Sequence, residues 1–227
     1  MRKFLIALSF VVAGCALPPR APPPAAPAAP ARPETPFEAW DVTASRLEVR
    51  VFREGPMANV GHNHVITSDA LKGTIELRTP RTTTGLHLEL PLESLKVDEP
   101  EVRAAAGEGF EKPVPDKDRD ATRGNMLGPS LLDAKRQPVL KLTVDALEGG
   151  PETFQAKVRV GLRGEERVVT VPVTVKVEGG ELHVHAQFSL HHADLGLTPF
   201  NVALGALRVK DEFQVDCRID ARHRKAT

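Results

Sequence analysis

A chain of 227 residues, 41% of them hydrophobic, can bury one real core and still carry sequence outside it. Its 30 Lys and Arg balance 30 Asp and Glu, and this formal charge of +0 gives no long-range attraction to nucleic acid. No basic run with interleaved aromatics supplies a local one, and the 20 prolines are unevenly placed.

The first element is a leader. In "MRKFLIALSFVVAGC", Arg2 and Lys3 form a positive start, Phe4 to Val12 an apolar stretch too short to span a bilayer, and Ala13-Gly14 a small pair before Cys15. This reads as a secretory signal peptide over residues 1–14. Its ending, Val12-Ala13-Gly14-Cys15, resembles the bacterial lipobox, in which the cysteine becomes the lipidated first residue of the mature protein. An ordinary signal peptide with an incidental cysteine is the alternative. Residues 15–36 follow as the lipidated Cys15 and a Pro/Ala-rich linker, "ALPPRAPPPAAPAAPARPETP". Proline lacks the amide donor a helix needs, so this segment reads as an extended spacer. Lipid and spacer together imply a domain held off a membrane outside the cytoplasm. Ala16, where Gram-negative lipoproteins retained at the inner membrane commonly carry Asp, favours the outer membrane. With Cys15 lipidated, Cys217 has no intrachain partner, and the core alone must stabilise the domain.

From residue 37 to 227 the chain reads as one domain of alternating strands. "SRLEVRVF" places Leu47, Val49 and Val51 on one face. After the segment "ANVGHNHVITSDA" come "LKGTIELR", with Ile75 and Leu77 on the apolar face, and "GLHLELPL", with Leu86, Leu88 and Leu90. A long charged stretch rich in Gly and Pro reads as a large loop with a short helix around Asp118 to Leu127. Strands resume in "VLKLTVDA" (Leu140, Leu142, Val144), "FQAKVRVGL" (Phe154, Ala156, Val158, Val160) and "VVTVPVTVKV" (Val169, Val171, Val173, Val175). The last two are "ELHVHAQFSL" (Leu182, Val184, Ala186, Phe188, Leu190) and "EFQVDCRID" (Phe213, Val215, Cys217, Ile219). Each has one apolar and one polar face, which predicts an antiparallel barrel or sandwich. Pro172, on the polar phase, predicts an edge or bulge.

In this order the pieces resemble the YceI-like family of secreted lipid-binding proteins. "SRLEVRVF", a His-containing segment and "LKGTIEL" are similar to the family's opening. "SLKVD" is similar to a family strand end, and "RDATRGNMLGPSLLDAKRQPVLKLTV" to its helix and following strand. "KVRVGLRGEERVVTVPVTV" is similar to its central hairpin, and "FSLHHADLGLTP" with "VKDEFQVDCRIDA" to its end. The resemblance runs from Trp40 to Ala221. It implies an all-β, lipocalin-like antiparallel barrel of about eight strands, with one short helix, a long loop and an elongated cavity. The implied ligand is a long apolar lipid: a polyisoprenoid, an isoprenoid quinone or a fatty amide. The chain departs from the family at Asn125-Met126-Leu127, at Asp194-Leu195-Gly196-Leu197 and in the length of the loop before the helix. An apolar wall without tyrosine suits a hydrocarbon better than a sugar or nucleotide.

The candidate ligand-binding residues are therefore the wall positions Phe154, Val158, Val171, Val184, Phe188, Phe213 and Val215. His62, Asn63 and His64 of "GHNH" join them as a polar landmark able to hydrogen-bond the guest's polar end. No nucleophile elbow, phosphate loop or zinc-protease signature points to an enzyme, and no cofactor is expected. The rival readings are a metal- or haem-interacting module built on His62, His64 and His192, and a structural envelope protein with a packed barrel. His183 and His185 alternate with the apolar phase and belong on the outer face. Cys217 reads as a buried small hydrophobe and "EKPVPDKDRD" as a solvated loop. Homodimer formation is left open.

Overall fold

The computed structural model describes residues 37–78 and 84–224. The leader, Cys15 and the linker, to which the lipidation and tethering expectations apply, lie outside the described residues. Eleven strands occur among those described: β1 (Phe37–Glu54), β2 (His64–Ser68), β3 (Lys72–Arg78), β4 (Thr84–Pro91), β5 (Lys96–Val97), β6 (Val139–Gly149), β7 (Thr153–Leu162), β8 (Glu165–Glu178), β9 (Glu181–His191), β10 (Asn201–Val202) and β11 (Leu207–His223). Two α-helices, α1 (Pro100–Ala105) and α2 (Asp116–Leu127), lie between β5 and β6.

Eight strands close into an antiparallel ring in the order β1-β3-β4-β6-β7-β8-β9-β11, with β11 pairing back onto β1. Every strand expected from alternation is present in the ring. The remaining three are short additions. β2 continues the edge of β1 where β3 leaves off, pairing with Leu47–Val51 while β3 pairs with Phe37–Asp41. β5 lies on β2, and β10 on β11.

Two bulges control which residues face inward. The β1–β11 register slips between Val42 and Ala44, where an extra residue on β1 inverts the parity of the strand. Trp40 and Val42 therefore share the inward face with Ser45, Leu47, Val49 and Val51. A second slip, between Val144 and Ala146, places Leu147 after Val144 on the inner face of β6. The expectation at Pro172 is met as an edge. The β8–β9 ladder ends at Thr174↔His185, so Pro172 lies on the stretch of β8 that β9 does not pair, although β7 does.

The expectation of a single helix needs correction. α2 spans the expected region, but α1 precedes it. "PEVRAA" begins with Pro at the first helical turn, where the missing amide costs nothing, and six residues are too few to display a helical period.

The core is packed unevenly. At the end where β1 starts and β11 finishes, Trp40, Ile75, Leu77, Phe154, Val175, Leu182 and Ala221 are buried. Toward the other end, the inward side chains of β1, β9 and β11 keep part of their surface: Leu47, Val49, Val51, Ala186, Phe188 and Cys217 are only partly buried, although they pack against the same core.

Gly73 on β3 marks how tightly β3 and β4 approach. Its φ is 143°, and a Cβ there would lie 2.0 Å from the carbonyl oxygen of His87. Gly73→Ala is expected to destabilise the domain by roughly 2–4 kcal/mol, read as a lowered urea midpoint; an unchanged midpoint would contradict this register.

Candidate functional site

The segment "GHNHVITSD" enters β2 from a short 3-10 turn and meets the polypeptide that leaves β5. Asp98 sits at that junction with φ 51° and is 1% exposed. Its Oδ2 lies 2.6 Å from Nδ1 of His64, and its Oδ1 accepts the amide of Val65 at 2.9 Å and Nη1 of Arg103 at 2.8 Å. Arg103, on α1, is itself 6% exposed. It donates further to the carbonyl of Asn63 at 2.7 Å and to that of Lys112 at 2.9 and 3.1 Å, and its guanidinium stands over the ring of Phe110. Beneath this polar clasp a satellite core forms from Val65, Ala106 and Phe110, with Phe52 and Val102 against it. The clasp fastens α1 and its loop onto the outside of β2.

The three residues of "HNH" thus have separate tasks. Asn63 is buried and both polar atoms of its amide are engaged: Oδ1 accepts the amide of Arg53 at 2.9 Å, and Nδ2 donates to the carbonyl of Gly109 at 3.0 Å. It holds the loop together. His64 shares the inward phase of Val51 at the rim. Its Nδ1 is taken by Asp98, while Nε2 has only Thr122 of α2, at 3.5 Å. His62 precedes the strand, its ring 6.2 Å from that of His64, with Nε2 buried and without a partner.

The electrostatics follow from this packing. Burial alone would raise the Asp98 pKa. Hydrogen bonds from His64 and the Val65 amide, with the charges of His64 and Arg103, outweigh it and hold the carboxyl below its usual range. Burial, then the nearby charges of Lys112, His64 and Arg103, lowers the pKa of His62.

Asp98 and Arg103 were not singled out as functional from the sequence, although Asp98 ends the "SLKVD" segment. Both lie in charged sequence that reads as solvated surface. "EKPVPDKDRD", read as a solvated loop, is mostly exposed apart from Val114, but only its first half is loop: Asp116–Asp120 form the opening turns of α2, where acidic side chains suit the helix N-terminus.

The seven expected wall residues all fall on the inward phase of their strands, in different surroundings. Phe154 and Val171 are buried in the packed part. Val158, Val184 and Phe188 are partly buried against the core, and Val215 pairs with Phe188 and Val49 beside them. Phe213 stands at the rim, edge-on to His192 at 4.9 Å. Cys217 also points inward, and burial pushes its thiol up to about 12, as suits an inert thiol. It nevertheless keeps accessible surface. His183 and His185 face outward as expected, against Asp220 at 2.7 Å and Asp216 at 3.3 Å on β11.

A model of the YceI-like domain matches residues 40–221. Among solved structures, the chain is similar to a polyisoprenoid binding domain from Saccharophagus degradans implicated in plant cell wall breakdown. The identity is 15% and the TM-score 0.52, over 84% of this chain and 100% of that one. It is similar also to BcnA from Burkholderia cenocepacia, at 13% identity and TM-score 0.52, over 78% of this chain and 95% of that one. At these identities the likeness concerns the fold. No curated protein matches the chain.

Acid should loosen the clasp. Asp98 has a lowered folded pKa, so its stabilisation is complete above its unfolded value, about 3.9, and disappears as pH falls through the folded value. The lowered pKa of His62 acts with the same sign from about pH 6.5 downward. Urea midpoints against pH should fall in two stages. Asp98→Asn should shrink the lower stage, to which the lowered pKa of Glu99 also contributes, and cost about 3 kcal/mol at neutral pH, because it strands Arg103 in a buried position. A neutral-pH midpoint matching the wild type would contradict the clasp.

Proposed function

From a chain that belongs to the YceI-like domain family, we propose a carrier that sequesters one long apolar lipid inside its barrel and is not an enzyme. The observation that carries this reading is the unevenly filled interior. Leu47, Val49, Ala186, Phe188 and Cys217 line one side of a closed ring, all inward and all with surface to spare. Apolar surface left inside a closed barrel is surface that a hydrocarbon can cover, at about 0.8 kcal/mol per methylene. Ten methylenes would supply roughly 8 kcal/mol before ordering costs. The polyisoprenoid binding named for the Saccharophagus degradans domain supports a guest of this kind. His62 and His64 then belong to the rim of the entrance, beside α2.

The placement we propose is the periplasm, with Cys15 lipidated, residues 16–36 as spacer and the outer membrane as anchor. The support is the lipobox-like ending and Ala16. Cys15→Ser should move the protein from the membrane fraction to the soluble one; retention in the membrane fraction would contradict the anchor.

Mass spectrometry of an organic extract of the purified protein should find a long-chain lipid in near-stoichiometric amount. Ala186→Phe, which fills the lumen from its partly exposed side, should reduce that amount about tenfold or more without unfolding the barrel. A wild-type protein that carries no lipid, and takes up none when offered long isoprenoids, would sink the proposal.

A further inference from the structure

At the rim where β7 turns into β8, Arg167 and Glu165 hold inward positions opposite Val160 and Leu162 and pair with each other. Deeper than these, the inward positions of the eight-stranded ring carry no Lys, Arg, Asp or Glu among the described residues. Three side chains with polar atoms interrupt the apolar wall: Trp40, Ser45 and Cys217. Trp40 and Ser45 belong to one inward strip of β1, on either side of the bulge at Val42/Ala44. Nε1 of Trp40 and Oγ of Ser45 are both buried, and neither has a hydrogen-bond partner. Trp40 is only 3% exposed. An indole N–H can donate and nothing else. Removed from water and left without an acceptor, it loses hydration with no return, and a phenylalanine would serve a purely apolar wall better.

We propose that Trp40 and Ser45 form a head-group station deep in the lumen. The guest is a long, neutral lipid with an uncharged oxygen acceptor, such as the carbonyl of an ester, ketone, quinone or amide, and it enters head first. This rests on the lumen being the lipid site. A plain hydrocarbon would leave both groups unpaired. A phosphate or carboxylate head at the depth of Trp40 and Ser45 would find no cation, since the inward Arg167 lies at the rim and is paired with Glu165, and burying an unpaired charge there is too costly. The direction follows from the packing. Trp40 lies at the filled end and Ser45 next along the strip, and beyond them the partly buried side chains Leu47, Val49 and Phe188 follow toward the rim. An oxygen held at Ser45 and Trp40 lays its chain along these side chains. His62 and His64 at the rim then meet the tail, reversing the placement of the polar end that the sequence suggests.

The single tryptophan and the absence of tyrosine make intrinsic fluorescence a report from Trp40 alone. Full-length protein stripped of lipid is titrated with methyl 5-doxylstearate and methyl 16-doxylstearate, neutral esters labelled near the head and near the tail. Head-first entry predicts stronger quenching by the 5-doxyl ester. Ser45→Ala, which deletes one unpaired hydroxyl, should still fold and should bind the ester about five- to tenfold more weakly. Equal or stronger quenching by the 16-doxyl ester, or unchanged affinity in Ser45→Ala, overturns the head-group station and leaves the lumen as a lipid site. Absence of binding by both esters overturns the station and the carrier reading together.

Discussion

The ladder between β1 and β11 is the constraint on which the rest of the molecule depends. It runs along nearly the full length of both strands and joins the first strand of the ring to the last. Closure removes most of the free edge that an eight-stranded antiparallel sheet would otherwise expose, leaving the stretch of β8 before Thr174 unpaired by β9. It also makes the inner face a separate environment, reached only through the rims or where β8 and β9 part beyond Thr174 and His185. Inside, a polar atom is satisfied by another inward group, by enclosed water or by a guest. That is why a bulge of one residue in β1 matters. It decides that Trp40 and Ser45, rather than their neighbours, face the interior.

Most of the fold was legible in the sequence because its signal is local. Leu86-Leu88-Leu90 or Val169-Val171-Val173-Val175 declare an inner face by parity alone. What parity cannot convey is where it changes. The early part of β1, from Phe37 to Ala44, was not read as strand, because the bulge breaks the alternation between Trp40 and Leu47. β2, β5 and β10 are too short for a period to register. α1 hid in sequence whose charge suggests solvent.

The site was legible in part for a different reason. Wall positions follow from strand parity, and all seven expected ones are inward. The filling of the interior depends on which opposing side chains reach one another across the ring. Phe154 and Val171 lie in closed packing, whereas Leu47, Ala186 and Cys217, which parity alone does not single out as wall positions, are partly buried against the same core. The motif "GHNH" changes meaning most. Its partners, Asp98 and Arg103, are 34 and 39 residues beyond His64 in the chain and become visible only once β5 is laid beside β2. Asn63 serves the loop, His64 is held by a buried carboxylate, and only His62 keeps an unused ring nitrogen. A pattern resembling metal chemistry acts mainly to bind an outer helix to the barrel rim.

A lipid guest of the proposed kind would lie along Leu47, Ala186 and Cys217. A crystal structure of the protein purified from its own host without detergent tests this placement most directly. Continuous, elongated density is expected beside Leu47, Ala186 and Cys217, extending toward the rim. A lumen closed by repacked side chains, or filled with ordered water alone, would contradict it.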